Sequence, residues 1–255
     1  MAYLRQFFAE IWLNLNFYRI YWPDFLAGLF ADMAFFYAIW MALGSVVVSN
    51  PSADLGGGQN ILFMYAVFGI VVGIFQSVAF TVAQEAQRGT LEHLALARGG
   101  LVVQLLFRGA SDSLFILFRT GVLLGVLLVL TGASFNPKPF WLLALALLVV
   151  SALGFSLSMA ALALYFKKIL SFFTIIQFSL LLYFFSVNHW RDYMVYLPLA
   201  PAAHLLSRSF SGGGEWTEWV VLSAFLQALL FVCFGLLALG YTHRLVRLRG
   251  ILGRY

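Results

Sequence analysis

The chain has 255 residues, of which 63% are hydrophobic and only 10% are charged, and its mean hydropathy is +0.94. Soluble domains are typically about 45–50% apolar and about 25% charged, and disordered chains are poor in apolar residues, so both classes are excluded. The 15 basic and 10 acidic residues give a net charge of +5, which in a membrane protein indicates orientation and contact with anionic lipid rather than with nucleic acid.

The first 22 residues predict an amphipathic helix. Apolar side chains recur there at helical spacing, whereas Gln6, Glu10 and Asn14 fall on the opposite face. Because such helices lie in the membrane interface, we expect residues 1–22 to rest on the inner leaflet. Two roles stay open, namely a passive membrane anchor and a helix that also contacts a cytosolic partner.

Residues 23–255 predict a single transmembrane domain with six spans. Each run is long enough to cross a hydrocarbon core of about 30 Å, and none shows the alternation of a β-barrel strand. Helices satisfy their own backbone hydrogen bonds in lipid, so the predicted fold class is an all-α integral membrane protein. The predicted spans are 25–48, 61–83, 113–131, 140–166, 169–187 and 219–241.

Two shorter apolar runs lie between these spans. The run 101–107 is too short to cross and is expected to extend the third span into the cytosol. The run 193–206 is broken by Pro198 and Pro201, which favours a re-entrant or interfacial hairpin before the sixth span.

The basic residues orient the chain. With six spans, 12 of the 15 Lys and Arg residues fall on the side that holds both termini. The positive-inside rule therefore predicts that both termini are cytoplasmic.

Charge inside the spans is confined to Asp32 in the first and Arg119 in the third. Asp32 is either a carboxylate paired with a neighbour or wetted at the inner mouth, or a transport residue. Arg108, Asp112 and Arg119 share one helix face. They form either an ion-pair ladder or a basic anchor with one salt bridge.

The sequence lacks the motifs of an enzyme. No glycine precedes a lysine as in a P-loop, there is no His-Glu-x-x-His zinc helix, and the four histidines are scattered. Cys233 is the one cysteine, which excludes a disulfide framework. We therefore expect no catalytic residues, no metal site and no cofactor in this chain.

The segment 84–98 joins the second and third spans on the predicted cytoplasmic side. Gly89 permits a sharp turn, Thr90 suits a helix N-cap, and Glu92 falls in the first turn, where the helix dipole favours an anion. Leu91 and Leu94 offer an apolar surface. On these grounds the segment is a short helix that acts as a docking element, or it is a tight loop.

This segment resembles a family signature. Glu85-x-x-Arg88-Gly89-Thr90-Leu91-Glu92-x-Leu94 is similar to the Glu-x-x-x-Gly-Thr-Leu-Glu motif of ABC-2-type transporter permeases. The layout is also similar, with an amphipathic N-terminal helix, six spans and a proline-containing segment before the last. One departure is Leu197-Pro198, followed by Pro201, where the family often has Asn-Pro.

The resemblance implies a function and partners. Residues 85, 88–92 and 94 would form a coupling helix against a separate nucleotide-binding ATPase subunit, which binds ATP and Mg²⁺. The permease would pair with a second copy or a paralogue in a prokaryotic inner membrane and export its cargo. Spans one, two and five would line the path, through Phe75, Gln76, Phe80, Phe172, Phe173, Gln177 and Tyr183.

Several alternatives stay open at this point. The abundance of aromatic residues suits a lipophilic or amphipathic cargo, although most aromatics could simply face lipid. A permease for a lipid-linked glycan belongs to the same family. A stand-alone channel or secondary carrier would need ion-coupling groups at the midplane and often internal repeats. A membrane scaffold or an integral enzyme is a further class.

Overall fold

The computed structural model describes residues 2–49, 57–89, 100–133, 135–138, 140–166, 168–211 and 216–248. These residues are helical apart from short connections, and no strand occurs among them. The elements are α1 (Ala2–Ile20), α2 (Trp22–Ser49), α3 (Gly57–Phe75), a π-helix (Gln76–Phe80), α4 (Thr81–Arg88), α5 (Gly100–Thr131), α6 (Trp141–Tyr165), α7 (Leu170–Val187), a 3₁₀ helix (Asp192–Tyr196), α8 (Ala200–Ser211) and α9 (Glu218–Leu248).

Six helical stretches of the described chain are long and apolar enough to cross a membrane, which confirms the predicted all-helical class and number of spans. The second stretch continues through the π-helix and α4. The third begins at Gly100, so the apolar run 101–107 belongs to the same helix as the span that follows it. The stretches are Trp22–Met41, Asn60–Arg88, Gly100–Thr131, Trp141–Tyr165, Leu170–Val187 and Glu218–Val246.

Helix α3 occupies the centre of the bundle. It packs against α5, α6, α7 and α8, and side chains on all of its faces are buried, among them Phe63, Val67 and Val71. A helix that is apolar all round is stable only when it is enclosed, which explains this position. In contrast, α2 lies at the edge of the bundle and buries few of its side chains, such as Leu29 and Phe36.

The closest helix pair is α6 with α9. Two glycines make this approach possible, because a Cβ on Gly154 would lie 2.4 Å from the backbone carbon of Phe231. A Cβ on Gly235 would lie 2.5 Å from the carbonyl oxygen of Gly154. Small residues at a crossing let two backbones pack directly, which is a common device in membrane helix bundles.

The proline-containing segment forms the 3₁₀ helix and α8. Leu199, directly before α8, has a φ of +64°, a left-handed conformation that is strained for a bulky side chain. Gln227 on α9 holds the segment, since its Nε2 donates to the carbonyls of Val195 at 2.9 Å and Leu197 at 3.0 Å. Helix α8 is buried against α3, α6 and α9. The depth of this segment in a membrane stays a prediction.

Helix α1 lies along α5 through its polar face. Asn14 donates to Asp112 at 2.7 Å and to Ser111 at 3.0 Å. Gln104 donates to Glu10 at 2.6 Å. The apolar face points away from the bundle, with Phe8, Trp12 and Leu15 exposed. The polar side of this amphipathic helix therefore contacts protein. Its position in the membrane interface stays a prediction.

Candidate functional site

A π-helix interrupts the second candidate span. The wider turn of a π-helix displaces backbone carbonyls from their usual partners, and such bulges are frequent at functional sites. Two hydroxyls satisfy the displaced carbonyls here. Ser77 donates to the carbonyl of Ile74 at 3.1 Å, and the buried Ser156 on α6 donates to the carbonyls of Ile74 at 3.2 Å and Phe75 at 3.4 Å.

The π-helix places Gln76 opposite α7. Its Nε2 donates to Oε1 of Gln177 at 3.1 Å, while the neighbouring Val78 and Ala79 point into the packed interior. The structure thus brings together the two glutamines among the predicted path residues. They form an amide bridge between the second and fifth spans.

An ion pair lies nearby. Nη2 of Arg119 on α5 donates to Oδ2 of Asp32 on α2 at 2.5 Å, and each side chain is 38% exposed. Gly28, one turn before Asp32, leaves room for the guanidinium, because a Cβ there would lie 3.1 Å from Nη2. Arg119 therefore pairs with another helix rather than continuing a ladder with Asp112, which instead accepts a hydrogen bond from Asn14.

The guanidinium is not fully satisfied. Nε of Arg119 is buried, and it has no hydrogen-bond partner in the part of the chain that the structure describes. An arginine carries five donors, and a buried donor without an acceptor costs free energy. The bond to Asp32 therefore leaves the guanidinium with an unsatisfied donor, although the Arg119 side chain as a whole is partly exposed.

The ion pair and the glutamine bridge line one cavity of about 190 Å³. It is enclosed by α2, α3, α5 and α7 and combines both charges with amide, hydroxyl and aromatic groups. Its lining residues are Asp32, Phe35, Tyr65, Phe68, Gly69, Val72, Gly73, Gln76, Ile116, Arg119, Thr120, Leu123, Gln177, Phe178 and Leu181.

A second cavity of about 580 Å³ adjoins the first and shares Gly73, Gln76, Ile116 and Arg119 with it. It lies beneath α1, and its polar lining includes Glu10. The remaining lining residues are Leu13, Asn14, Phe17, Tyr18, Ser77, Arg108, Asp112 and Phe115.

The ring of Tyr18 stacks on Phe115 at 5.1 Å between centroids, which fixes α1 over the second cavity. Burial raises the pKa of Tyr18; the positive charge of Arg119 opposes this rise, and the negative charge of Asp112 adds to it. Together the two cavities form a polar cleft that runs from α1 to α7.

The predicted aromatic path residues have two different environments. Phe75, Phe80 and Phe173 form a packed cluster with centroids 5.3–5.5 Å apart, and the first and last of them are fully buried. Phe172 is exposed on the outer face of α7. Of the predicted path residues, only Gln76 and Gln177 line a described cavity.

Tyr183, also predicted to line the path, lies at the other end of α7. Its hydroxyl donates to the carbonyl of Pro198 at 2.5 Å. This bond ties α7 to the strained turn before α8. Tyr183 therefore holds the proline-containing segment rather than facing the polar cleft.

The predicted coupling segment is described in part. Glu85 and Arg88 lie on α4, and Gly89 ends that helix with a φ of +79° while its N–H donates to the carbonyl of Glu85. This left-handed C-cap is the sharp turn expected of the glycine. Thr90, Leu91, Glu92 and Leu94 lie outside the described residues.

Sequence reasoning singled out Asp32 and Arg119 separately but did not pair them. It also missed Tyr65 and Thr120, which line the cavity, and Ser156, which supports the π-helix. The available signal was that a lone acid and a lone base occur within spans, where each charge requires a partner.

A metal site would need several His, Cys, Asp or Glu side chains close together. Within the described parts of the chain, no group of three or more such side chains is placed to hold a metal ion. The first cavity instead offers a guanidinium, a carboxylate, two amides and aromatic faces, which together suit recognition of a polar group. None of the protein-family models, curated proteins or solved structures compared with this chain matches it.

Proposed function

We propose that this chain is the transmembrane subunit of an ATP-driven exporter of the ABC-2 type. It acts in the inner membrane of a prokaryote with both termini in the cytoplasm. A separate ATPase subunit binds ATP and Mg²⁺, and a second copy or a paralogue completes the permease. The cargo is a lipophilic or amphipathic molecule.

The observation that carries this proposal is the segment Glu85-x-x-Arg88-Gly89-Thr90-Leu91-Glu92-x-Leu94, which begins in the last turn of the second candidate span. Gly89 ends the helix there in a left-handed conformation, which suits a sharp turn. The lack of a P-loop agrees with a division of labour in which another polypeptide hydrolyses ATP.

The helix geometry offers a route for coupling. Helix α4, the π-helix and α3 follow one another without a break, so a displacement at Gly89 is carried toward Gln76. Gln76 lines both cavities and bridges to Gln177. A displacement of the coupling segment would therefore move side chains that line the polar cleft. The π-helix would be the part of the span that deforms.

Copurification with the ATPase and its ATP hydrolysis test the proposal. We expect Glu85→Gln and Glu92→Gln to lower ATP hydrolysis by the complex, whereas Glu218→Gln, at the start of α9, serves as the matched control. A Gly89→Ala and Leu91→Ala double variant should abolish transport. If complex assembly and transport survive that double change, the coupling assignment is wrong.

A stand-alone channel or secondary carrier is the second candidate, because the Asp32–Arg119 pair places charge within two candidate spans. Ionisable groups at such positions mark ion or substrate paths by default. Flux through vesicles that contain the purified chain alone distinguishes the two. Transport without an ATPase would favour this candidate, and transport that requires ATP and a partner would exclude it.

A further inference from the structure

The cavity around Asp32 and Arg119 has two distinct chemical features. The first is the guanidinium: Nε of Arg119 is a buried donor without a partner among the described residues, although Nη2 of the same group binds Asp32. A guanidinium binds carboxylate or phosphate oxygens through several donors at once. The Arg119 side chain is 38% exposed and lines the cavity, so an anionic group can bind the exposed part of the guanidinium that the bond from Nη2 to Asp32 does not use.

The second chemical feature of the cavity is its aromatic lining. Phe35, Tyr65 and Phe68 line the cavity together with Asp32, and the ring of Tyr65 lies 6.4 Å from that of Phe35 and 6.1 Å from that of Phe68. The hydroxyl of Tyr65 donates to the backbone carbonyl of Asp32 at 2.9 Å, which fixes the ring beside this residue. Aromatic faces next to a carboxylate bind alkylammonium groups through cation–π attraction.

We propose that this cavity binds a zwitterionic head group of the phosphocholine type, which carries a phosphate and an alkylammonium. The phosphate oxygens accept from Arg119, with the amide of Gln76 or Gln177 as a second donor. The ammonium lies between Asp32 and the rings of Phe35, Tyr65 and Phe68. Exposed apolar residues at the rim, Phe35 and Phe178, suit an attached acyl chain.

Charge balance favours the zwitterion over ligands of a single charge. A phosphate alone on Arg119 would leave the nearby carboxylate of Asp32 opposed by a second anion. An ammonium alone would compete with Arg119 for Asp32 and leave the guanidinium without an anion. Breaking a partly buried pair without replacing both partners costs free energy, whereas a zwitterion supplies one charge to each.

The site lies within a single chain and does not require an ATPase. Its existence therefore goes beyond the proposed function, and only the statement that the bound amphiphile is the exported cargo rests on that function. Binding to the purified chain, in the absence of nucleotide and partner, tests the site by itself. Copurification with an ATPase tests the proposed function separately.

Three probes with the same dodecyl tail separate the alternatives: dodecylphosphocholine, dodecyl phosphate and dodecyltrimethylammonium. Each is added at the same mole fraction to the full chain in maltoside micelles, and bound adducts are counted by native mass spectrometry. We expect dodecylphosphocholine to bind about tenfold more tightly than either single-charge probe, a difference of about 1.4 kcal/mol. Equal binding of all three, or a preference for a single charge, would overturn the proposal.

Variants locate the site. Arg119→Gln should weaken dodecylphosphocholine about tenfold and spare the trimethylammonium probe, whereas Asp32→Asn should weaken both ammonium-bearing probes and spare dodecyl phosphate. Arg191→Gln and Asp192→Asn, which make the same changes at exposed positions outside the cavities, are the matched controls. Selective loss in the first pair alone supports the site, and equal effects in both pairs exclude it.

A third variant distinguishes a loss of binding from a loss of folding. Phe35 is 43% exposed, so Phe35→Leu should leave the fold intact while it lowers binding of both ammonium-bearing probes several-fold. Unchanged binding in a folded Phe35→Leu variant would contradict the aromatic part of the site. Free phosphocholine serves as competitor: weak competition indicates an amphiphile as the natural ligand, and full competition indicates a water-soluble zwitterion with the same head.

Discussion

Gln76 on the π-helix donates a hydrogen bond of 3.1 Å to Gln177 on α7, 101 residues away in sequence. The bond closes one side of the cavity that holds the Asp32–Arg119 pair. Gln76 is the first residue of the π-helix, so the contact lies where the α-helical ladder of the span is interrupted. A local irregularity in one span thus coincides with a polar contact between two spans.

A double-mutant cycle on this pair should reveal a favourable coupling. In Gln76→Leu and Gln177→Leu, a side chain of similar size without the amide replaces each glutamine. We expect a coupling free energy of about 0.5–1 kcal/mol, as for other hydrogen bonds between membrane helices. The free energy of unfolding from SDS titration in mixed micelles measures it. Strictly additive effects of the two changes would show that the bond contributes nothing to stability.

The glycine at the α6–α9 crossing should tolerate no side chain. A Cβ at Gly154 would lie within 2.7 Å of three backbone atoms of α9, and backbone cannot move aside as a flexible side chain can. We expect Gly154→Ala to lower the free energy of unfolding by about 1–3 kcal/mol. Gly121→Ala on α5 is the control, because nothing lies within 4 Å of the added methyl group.

The control should behave oppositely. Alanine favours a helix over glycine by about 1 kcal/mol, so Gly121→Ala is expected to leave stability unchanged or to raise it. Thermal unfolding of the two variants in the same detergent provides the comparison. A neutral Gly154→Ala variant would mean that α6 and α9 are not as close as the structure has them.

Much of the fold can be read from the sequence, because spans depend on local composition. Six apolar runs in the sequence predict the six candidate spans. Gly89 lies at a sharp turn, as its lack of a side chain predicts. Contacts between spans depend instead on helix rotation, which an all-round apolar helix such as α3 does not encode. The pairing of Asp32 with Arg119, 87 residues apart, is therefore absent from any local pattern.

The same limit applies to the candidate site. Gln76 and Gln177 stand out because polar side chains are rare within spans, and the structure brings them together. Phe75 and Phe173 look similar in sequence to any aromatic lining, yet both are fully buried, where they pack against each other and against Phe80. No sequence signal marks the π-helix, because its carbonyls are satisfied by Ser156 from a distant helix.

Removal of one partner from the Asp32–Arg119 pair should destabilise the protein more than removal of both. Arg119→Gln leaves a half-buried carboxylate without its counterion, and we expect a loss of about 1–3 kcal/mol, below the value for a fully buried pair because both groups reach solvent. The double variant with Asp32→Asn should recover part of that loss. Unfolding by SDS titration measures all three, and a double variant less stable than either single one would contradict this account.

Acid should destabilise the protein through His204. This side chain on α8 is buried and stacks on Trp190 with centroids 4.0 Å apart. Burial, with a smaller contribution from the charge of Arg208, lowers the pKa of His204 to about 4. The unfolded chain takes up the proton near its ordinary pKa of about 6.5, so this contribution to stability is complete above that pH and falls as the pH drops from there toward 4.

The melting temperature measured at pH 7, 6 and 5 checks this sign. It should fall toward pH 5 in the wild-type protein, and His204→Phe, which keeps a ring against Trp190, should reduce the slope. His189→Phe changes an exposed histidine and should leave the slope as it is. If His204→Phe and the wild type lose stability in parallel, another group is responsible for the acid sensitivity.

Three serines on α6 should respond differently to replacement by alanine. Ser156 donates to two carbonyls of the π-helix region, Ser158 donates only to Gly154 within its own helix at 2.9 Å, and the buried Ser151 has no partner among the described groups. We expect Ser156→Ala to cost about 1–2 kcal/mol, because the carbonyl of Phe75 loses the hydroxyl donor and that of Ile74 keeps only Ser77. Ser158→Ala should cost less, and Ser151→Ala should be neutral or stabilising, since it removes an unsatisfied hydroxyl.

The order of the three variants is the critical result, because all three changes are chemically identical and lie on one helix. SDS titration should give Ser156→Ala as the least stable of the three variants. The coupling free energy between Gln76 and Gln177, measured in the Ser156→Ala protein, should be smaller than in the wild type. Loss of that coupling would connect the serine to the glutamine bridge through the π-helix. If the three variants were equally stable, the hydroxyl of Ser156 would not be what supports the π-helix.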